Sequence, residues 1–497
     1  MALGRRTFLL AAGASALAGC STSKKPPRAR TSSPPPASPS PTGPADWNAL
    51  ARGLHGRVIR PGDADYDRAR RLYIPRFDAI RPAGIAYCEN ASDVAECMAF
   101  ATHQRLPLAL RSGGHNYAGW STGTGLVVDV SPMDVIDISG GSVAVGAGVR
   151  LVDLDARLAP RGLAVPGGTC PTVSVSGLTL GGGLGATSRA FGLTCDNVES
   201  LRIVTPDGVV RECSASSEPD LFWACRGGGG GNFGAVVEFT YRTHRVESEV
   251  TPFRMSWPWS RAAEALRGWQ RWLPSAPDEV WTSFQLDATR GVSVEGLALS
   301  DPSGPTDALA AAIGGASPAL TVHPQPYLDA ALRLAGCTGQ TVDECHEQGR
   351  LPGQRLEGRF PRTDYAAKSH IARRPLPGSA IDALVPRVRG RDGRSVLLDA
   401  MGGAIGRVAP SATAFPHRDA LFSVQYLAPS DDMTWLRGVH DAMDPYLRGA
   451  AYVNYIDPEL ASWRTDYYGA NADRLSAVKA KYDPNGLLAF PQAITPR

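Results

Sequence analysis

Apolar and polar positions along the chain follow two periods, and together they predict a mixed α and β fold. Alternation with period two, or a short apolar run between turn residues, is typical of a strand, whereas spacing of three to four residues is typical of a helix. In the first half, the pattern predicts strands at 84–88, 108–110, 126–130, 143–145, 198–204, 209–210 and 235–241. Between them it predicts helices at 92–104, capped by Ser92, and at 151–158.

The second half carries the same two patterns. It predicts strands at 280–287, 292–299, 396–401 and 421–427, helices at 261–273 and 307–313, and, from Tyr452 onward, a strand and a helix at 463–482. Strand and helix do not alternate strictly, which favours an α+β region over an array of parallel βαβ units. About 450 residues are predicted to fold, which is more than one core usually serves, so we expect two lobes.

The first 45 residues differ from the rest in composition. Residues 1–20 begin with the pair Arg5-Arg6, continue with an alanine-rich apolar run and end in Leu-Ala-Gly-Cys at Cys20. The run is too short for a confident membrane span, and the pattern is that of a twin-arginine export signal with a lipoprotein cleavage box. A plain signal peptide is the alternative. Residues 21–45 are rich in Pro and Ser and are predicted to be a disordered spacer. We therefore expect an exported protein, lipid-anchored through Cys20 to the outer face of the membrane.

Charge and cysteine content narrow the function further. The net charge of +3, without a long basic run after the spacer, gives no case for nucleic-acid binding. No zinc-ligand spacing is present, so no metal site is expected. Of nine cysteines, Cys337 and Cys345 lie in one polar loop and are the most favourable disulfide pair, although spacing alone does not fix pairing. We expect a monomer that acts on a small molecule.

Two glycine-rich segments are the strongest candidates for chemistry. They are Arg-Ser-Gly-Gly-His-Asn-Tyr-Ala-Gly at 111–119 and Gly-Gly-Thr-Cys-Pro-Thr-Val at 167–173. Glycine clusters expose backbone N–H groups, so each loop is a candidate phosphate cradle, and each holds one nucleophile, His115 or Cys170. This arrangement suggests a dinucleotide held by two covalent bonds. A loose fingerprint, Gly181-x-Gly183-x-x-Ala186, lacks the strand–turn–helix context of a Rossmann site, which we therefore reject.

Together with 181–185, 220–227, 231–234 and the tail from Tyr452 to Gln492, these loops resemble the FAD-linked oxidases of the berberine bridge enzyme type. These enzymes belong to the vanillyl-alcohol oxidase superfamily. The resemblance runs from about Arg81 to the C-terminus. It implies a two-lobed, PCMH-type FAD-binding fold with a second α+β substrate lobe built on an antiparallel sheet. The implied domains are 46–248 for FAD, 249–447 for substrate and 448–497 for a segment that returns to the FAD domain.

The resemblance also implies the cofactor site. His115 and Cys170 would each bond the flavin ring. Ser174 and Ser176 stand where glycines are common, so they would be strained if those positions need a positive φ. The residues expected to bind FAD are Arg111, Ser112, Gly113, Gly114, His115, Gly119, Gly168, Thr169, Cys170, Val173, Gly177, Gly181, Gly182, Gly183, Gly185, Asp196, Val198, Gly231, Asn232, Phe233, Gly234 and Asn454.

An alcohol oxidation also needs a group that takes the hydroxyl proton. The resemblance makes Tyr452 the first candidate, with Tyr117 lining the substrate site. On a strand, Tyr452 and Asn454 would share one face and Tyr455 would lie on the other. Gln425 stands where some relatives carry a carboxylate base, and an amide cannot take that proton. A free tyrosine has a pKa of about 10, so a base of this type needs a lowered pKa or concerted transfer.

Three functions remain open from the sequence. The first is oxidation of a secondary alcohol of a sugar or glycosylated natural product, with oxygen reduced to peroxide. The second is oxidative cyclisation or dehydrogenation of a secondary metabolite at a C–H next to nitrogen or a ring. The third is a surface-anchored binding protein that has kept the fold without turnover, which the presence of His115, Tyr117 and Tyr452 argues against.

Overall fold

The structure is a computed structural model and describes residues 45–497. The predicted export signal and all but the last residue of the predicted spacer lie outside the described residues. Within 45–497, no helix has both the length and the apolar character needed to cross a membrane.

A mainly parallel sheet opens the described chain and leads directly into the first glycine-rich loop. Its strands are β1 (Arg57–Ile59), β2 (Gly84–Tyr87), β3 (Leu108–Arg111) and β4 (Leu126–Asp129). β2 and β3 both lie parallel to β4, and β1 pairs antiparallel with β2. A helix at Ala91–Gln104 packs Val94 and Met98 against this sheet. Because β3 ends at Arg111, the sheet fixes where the His115 loop begins.

An antiparallel sheet follows. The next strands are β5 (Ile136–Ser139), β6 (Ser142–Gly146), β7 (Leu163–Ala164), β8 (Val198–Val204), β9 (Val210–Ser214), β10 (Ala235–Arg242) and β11 (His244–Arg245). Five of them pair in the order β5-β6-β10-β8-β9, and β7 pairs separately with β11. The predicted hairpin at 198–210 is confirmed, with Gly208 at a φ of 78° in its turn.

The third sheet is the largest and is wholly antiparallel. Its strands are β12 (Glu249–Trp257), β13 (Val280–Asp287), β14 (Gly291–Ala298), β15 (Ala319–Val322), β16 (Gln325–Pro326), β17 (Ala366–Ala372), β18 (Ser395–Ala400) and β19 (Phe422–Ala428). The main order is β15-β12-β14-β13-β18-β19-β17, with β16 paired to β12.

Helices cover the outer faces and the ends of these sheets. They are α1 (Trp47–Gly53), α2 (Tyr66–Ala69), α3 (Ala91–Gln104), α4 (Leu151–Leu158), α5 (Val175–Leu180), α6 (Ser188–Phe191), α7 (Pro219–Ala224), α8 (Ala262–Trp272), α9 (Ser303–Ile313), α10 (Tyr327–Leu334), α11 (Gly378–Val388), α12 (Met433–Leu447), α13 (Trp463–Tyr468) and α14 (Ala472–Tyr482).

The large sheet has two chemically different faces. Trp269 of α8 packs on Phe284 of β13 and Phe422 of β19, with ring centroids 5.7 and 5.3 Å apart. Successive residues of a strand point to opposite faces, so Ser283 and Gln285, on either side of Phe284, face away from the helices. One face is therefore an apolar core and the other is available to a site.

The two-lobed α+β architecture agrees with the prediction. The expected domain boundaries fall between β11 and β12 and at the end of α12, and they remain predictions. The cysteine pair Cys337–Cys345 forms the expected disulfide.

Three local predictions are wrong. Asn90, not Ser92, caps α3, because the Asn90 side chain accepts the Asp93 N–H at 3.0 Å. The segment after Tyr452 is a 3₁₀ turn at Val453–Tyr455 instead of a strand. The last helix is divided into α13 and α14 at Gly469, which has a φ of 49°.

Candidate active site

A cavity of about 650 Å³ joins the glycine-rich loops to the polar face of the large sheet. The structure brings most of the sequence-predicted site residues to its wall. These are Arg111, Ser112, Gly113, Gly114, His115, Tyr117, Gly168, Thr169, Cys170, Val173, Gly177, Gly185, Gly231, Asn232, Gly234, Gln425, Tyr452, Asn454 and Tyr455.

Seven predicted residues do not line the cavity wall. They are Gly119, Gly181, Gly182, Gly183, Asp196, Val198 and Phe233. Two of them make hydrogen bonds to other residues. Asp196 pairs through both carboxylate oxygens with Arg418, at 2.7 Å each, and Gly183 donates its N–H to the Tyr452 hydroxyl. Their assignment to FAD binding remains a prediction.

The His115 loop is anchored where β3 meets β4. Arg111 forms a buried ion pair with Asp129, its register partner on β4. A Cβ on Gly113 would lie 2.7 Å from the backbone nitrogen of Ser174, closer than real contacts allow. Glycine at 113 therefore lets the two predicted cofactor loops meet.

His115 is held by contacts on two sides. The Tyr73 ring stacks on the imidazole with centroids 4.0 Å apart and an angle of 21°, and Nε2 lies 2.9 Å from Thr172 Oγ1. Desolvation and the nearby Arg150 guanidinium lower the pKa of His115 to about 3, against a hydrogen bond with the Thr172 backbone. The imidazole is therefore neutral near pH 7 and keeps one nitrogen lone pair, as a nucleophile requires.

Cys170 lies on the second loop, and its environment differs from the sequence-based expectation. Desolvation raises the pKa of its thiol to about 11, although hydrogen bonds from Thr172 and Val173 oppose that shift. We expected a glycine-rich turn to make the thiolate easier to form, but loss of water outweighs the N–H donors. Ser174 has a φ of −84°, and among residues 45–497 only Arg105 and Glu218 are non-glycine residues with a positive φ. The strain considered for Ser174 and Ser176 is thus absent.

The tyrosines from the tail have different surroundings. The Tyr452 oxygen accepts hydrogen bonds from the N–H groups of Gly183 and Leu184, at 2.9 and 3.1 Å, and from Asn454 Nδ2 at 2.9 Å. Tyr455 lines the same cavity, and its hydroxyl has no hydrogen-bond partner in the described chain. The two rings touch with centroids 4.9 Å apart, so the predicted placement on opposite faces is wrong. The cause is the 3₁₀ turn, in which residues i and i+3 lie on one side.

Tyr117 links the two sides of the cavity. We call them the loop wall, formed by the glycine-rich loops at 111–119 and 167–173, and the sheet wall, formed by the polar face of the large sheet. Its ring stacks on Tyr455 with centroids 5.6 Å apart and an angle of 11°. Gln425 of β19 donates its amide to the Tyr117 hydroxyl at 2.9 Å. The amide therefore orients a phenol, which is a role that its chemistry allows.

The sheet wall carries carboxyl groups that sequence reasoning missed. Glu295 of β14, Ser283 of β13 and Asp399 of β18 follow one another in cross-strand register and all line the cavity. Gln285 donates to Glu295 at 3.0 Å. Desolvation raises the pKa of Asp399 to about 6, with a hydrogen bond from Ser283 opposing the shift and Glu295 adding to it. The only sequence signal was an isolated Asp in the apolar strand Ser-Val-Leu-Leu-Asp-Ala.

The loop wall fits a long polar cofactor. A Cβ on Gly185 would overlap the carbonyl oxygen of Gly167, so this stretch can only be lined by backbone. Five cavity-lining residues have buried polar atoms with no partner in the protein, namely Arg111 Nη1, Ser121 Oγ, Thr122 Oγ1, Trp281 Nε1 and Gln492 Oε1. Unpaired buried polar atoms of this kind need a ligand or water. Within 45–497, no group of three or more His, Cys, Asp or Glu side chains is arranged to hold a metal ion.

Comparison with known proteins identifies two matching family models. Residues 82–214 match the FAD binding domain model, and residues 451–495 match the model described as berberine and berberine like. Both glycine-rich loops lie in the first match, and the Tyr452–Tyr455 turn lies in the second.

Two relatives and one solved structure extend the match to most of the chain. The uncharacterized FAD-linked oxidoreductase YgaK of Bacillus subtilis is 32% identical over 461 residues, covering 89% of this chain and 97% of that protein. Chitooligosaccharide oxidase of Gibberella zeae is 28% identical, covering 84% and 88%. The structure of Physcomitrella patens BBE-like 1 superposes with a TM-score of 0.83 at 27% identity, covering 90% and 99%.

Proposed function

Because the chain belongs to the berberine bridge enzyme-like family of FAD-linked oxidoreductases, we propose that it oxidises a secondary alcohol of a sugar, oligosaccharide or glycosylated natural product. Oxygen would take up the electrons as hydrogen peroxide. The family makes the protein an enzyme that uses FAD, and its relatives include a chitooligosaccharide oxidase. The substrate, the covalent bonds and the oxygen acceptor are the finer parts of the proposal.

The observation that carries the proposal is the polar sheet face opposite the cofactor loops. Ser283, Gln285, Glu295, Asp399 and Gln425 offer hydroxyl, amide and carboxyl groups from four neighbouring strands. Sugars expose hydroxyl groups on every side, and such a wall can pair with several of them at once. A purely apolar metabolite would leave unpaired those hydrogen-bonding positions of the wall that the Gln285–Glu295 and Gln425–Tyr117 bonds do not use, at a cost of about 1–3 kcal/mol for each buried group.

We assign His115 and Cys170 as the two residues that would hold FAD covalently. FAD, when bound, supplies an acceptor for the hydrogen and electron pair that leave the substrate carbon. His115 supports this role as a neutral imidazole at the cavity wall. Cys170 reaches the same cavity, as a thiol that must first lose its proton.

Asp399 is the best-placed base for the hydroxyl proton. Its pKa of about 6 makes it ionised at neutral pH and close to the value at which a general base works best. Tyr455 lines the same cavity with its hydroxyl unpaired, so it can bridge the substrate and the Asp399 carboxylate. Desolvation, and then the Asp399 charge, raise the pKa of Tyr455 well above the usual value. Tyr455 therefore stays protonated until it passes a proton on. Tyr452, the first candidate from the sequence, has an oxygen already engaged by three N–H donors, so we assign it to holding the Gly183–Leu184 backbone.

The site residues also suggest how the substrate is positioned. Gln425 holds the Tyr117 hydroxyl, and Tyr117 stacks on Tyr455. Tyr117 would then place the substrate against Tyr455 and exclude water from that side. The remaining predicted FAD contacts, including Arg111, Gly113 and the 231–234 segment, would bind the cofactor mainly through backbone N–H groups.

We also propose that the enzyme acts outside the cytoplasm, tethered through Cys20. The support is the order of Arg5-Arg6, an apolar run and Leu-Ala-Gly-Cys in the first 20 residues. Fractionation tests this separately from catalysis. The full chain is expected in the membrane fraction, and the Cys20→Ala variant is expected to be released.

One purification tests the central claim. The protein should be yellow, and the flavin should remain on the polypeptide after acid denaturation, with an intact mass that includes FAD. Under nitrogen, a panel of neutral oligosaccharides should bleach the flavin, and air should restore the colour with formation of peroxide. Products separate the alternatives, since a ketone or lactone supports alcohol oxidation, whereas a new ring or double bond supports the secondary-metabolite reaction. A colourless protein after growth with ample riboflavin would contradict both.

A further inference from the structure

We propose that Thr172 is the positioning residue for the covalent attachment at His115, because its buried hydroxyl lies 2.9 Å from His115 Nε2. This inference rests on the proposed bond at His115. It adds a residue that neither the glycine-rich pattern nor the cysteine and histidine themselves indicate.

The contact with His115 is short and shielded. Thr172 is 3% exposed, and its Oγ1 lies 2.9 Å from His115 Nε2. Tyr73, stacked on the other side of the imidazole, restricts rotation of the ring. A neutral imidazole has one N–H and one lone pair, so the partner of Nε2 decides which nitrogen can attack. When Nε2–H donates to Thr172, the lone pair is on Nδ1.

The Thr172 hydroxyl is able to accept a hydrogen bond from Nε2–H, because a hydroxyl has one hydrogen and two lone pairs. Its own hydrogen then remains available, and hydrogen bonds from Thr172 and Val173 favour the thiolate of Cys170. Acceptance from Nε2–H leaves the Nδ1 lone pair for attack, so this hydroxyl sets the histidine tautomer.

The backbone holds Thr172 in place. Val152 of α4 donates its N–H to Pro171 at 3.2 Å, and Leu151 donates to Val173 at 3.0 Å. These bonds fasten both neighbours of Thr172 to the first turn of α4. The hydroxyl is consequently presented from a rigid turn, as a positioning role requires.

Attachment at His115 would balance with oxygen as the oxidant. His115 Nδ1 would bond the methyl carbon of the flavin ring while one C–H bond of that carbon breaks, with two protons lost in total, one from that carbon and one from the imidazole. The two electrons would be taken up by oxygen as hydrogen peroxide. The positive charge that builds on the imidazole is shared through Nε2–H with the Thr172 oxygen, and that proton then leaves to solvent. At Cys170, loss of the thiol proton and of one ring hydrogen, with two further electrons to oxygen, forms the carbon–sulfur bond.

The test separates the two attachments by working in single-attachment parents. Cys170→Ala leaves only the His115 bond, and His115→Ala leaves only the Cys170 bond. Thr172→Val is introduced into each parent, with Thr172→Ser as the variant that keeps the hydroxyl. Thr282→Val, at a fully buried threonine that accepts a hydrogen bond from Trp269 in the substrate lobe, is the matched control. If Thr172→Val is insoluble, Thr172→Ala removes the same hydroxyl without adding a methyl group.

The measurement is the fraction of flavin that stays on the chain after acid precipitation, with its time course after adding FAD. Thr172→Val should slow attachment in the Cys170→Ala parent by about ten-fold or more, as loss of an orienting partner commonly does, and its effect in the His115→Ala parent should be smaller. Thr172→Ser and Thr282→Val should leave it near the parent value, and total bound FAD should stay similar in all. Normal attachment in Thr172→Val would overturn the inference alone. Absence of covalent flavin in the Cys170→Ala parent would overturn the His115 bond as well.

Discussion

The two walls of the cavity are built on opposite principles. The loop wall presents backbone, and its geometry depends on glycines such as Gly113 and Gly185, where a side chain would collide with the neighbouring loop. The sheet wall presents side chains, one polar group at a time, from strands whose other face is an apolar core. A wall made of backbone suits a cofactor that is the same in every reaction. A wall made of side chains can change its substrate preference by substitution, without disturbing the fold. We therefore expect cofactor retention to depend on the first wall and turnover on the second.

The largest expected effect comes from the sheet wall. Asp399→Asn removes the proposed base and should lower kcat/KM by about 10²–10⁴-fold. The wild-type kcat/KM should fall as pH drops below about 6, because protonation of Asp399 abolishes its basicity, and the variant should lack this limb. Steady-state kinetics with the sugar that bleaches the flavin fastest, measured from pH 4.5 to 8, checks both statements.

Asp155→Asn is the matched control for this experiment. Desolvation raises the pKa of Asp155 to about 7, but Asp155 does not line the cavity; it lines a small neighbouring pocket beside Tyr327. A loss of activity confined to Asp399→Asn assigns the proton transfer to the cavity. An equal loss in both variants would point to a general effect of neutralising desolvated carboxyl groups.

The stability of the fold should depend on pH in the opposite sense to activity. Ionisation of Asp399 raises activity but lowers the free energy of unfolding. Desolvation raises the pKa of Asp399 to about 6 in the folded state, above the ordinary aspartate pKa of 3.8, so the folded state binds more protons between those values. Its contribution to the free energy of unfolding is therefore fully present below about pH 4 and is lost as pH rises through 6. Asp399→Asn should remove this loss, and thermal unfolding at pH 5 and pH 7.5 measures it. A variant that is less stable at pH 7.5 than wild type would contradict the assigned desolvation.

Substitutions in the loop wall should change the covalent attachment of the flavin. His115→Ala and Cys170→Ala should each leave flavin on the chain through the other residue, and only the double variant should release it on acid denaturation. Each single variant should also show a shifted flavin absorbance, because one ring substituent is lost. Acid-precipitated protein, examined by absorbance and intact mass, gives the result. If neither single variant changes the spectrum, the two-bond proposal is wrong.

A steric change in the loop wall should have a smaller effect on turnover than on cofactor content. Gly113→Ala places a methyl group 2.7 Å from the Ser174 nitrogen, and overpacking of this kind costs about 1–3 kcal/mol. We expect less bound FAD per chain and a lower melting temperature, with near-normal kcat per flavin. Gly438→Ala is the matched control, since nothing lies within 4 Å of the added carbon and Gly438 lies within α12, away from the cavity wall. Equal FAD loss in both variants would argue against the close loop contact.

The contrast between the walls also explains what the sequence could reveal. Glycine clusters around His115 and Cys170 are local in the chain, so most of the residues that line this wall could be predicted, although Gly119 and the 181–183 segment do not reach it. The sheet wall could not be predicted in this way. Ser283 and Asp399 are more than 100 residues apart in the chain, and they meet each other and Glu295 only through strand register. Tyr455 was placed on the wrong face because a strand and a 3₁₀ turn give residue i+3 opposite directions. Thr172 gave no signal, since a threonine between proline and valine is ordinary.

The smallest predicted effect lies where the two walls meet, at the hydrogen bond from Gln425 to Tyr117. Neither residue is assigned a proton, so Tyr117→Phe and Gln425→Met should each raise KM with little change in kcat. A neutral hydrogen bond contributes about 0.5–1.5 kcal/mol, which corresponds to roughly two- to twelve-fold in kcat/KM. Because both variants remove the same bond, their combination should cost hardly more than either alone. A double-mutant cycle on kcat/KM measures this coupling. Additive losses would mean that the two walls bind substrate independently, and the contact would then be incidental to positioning.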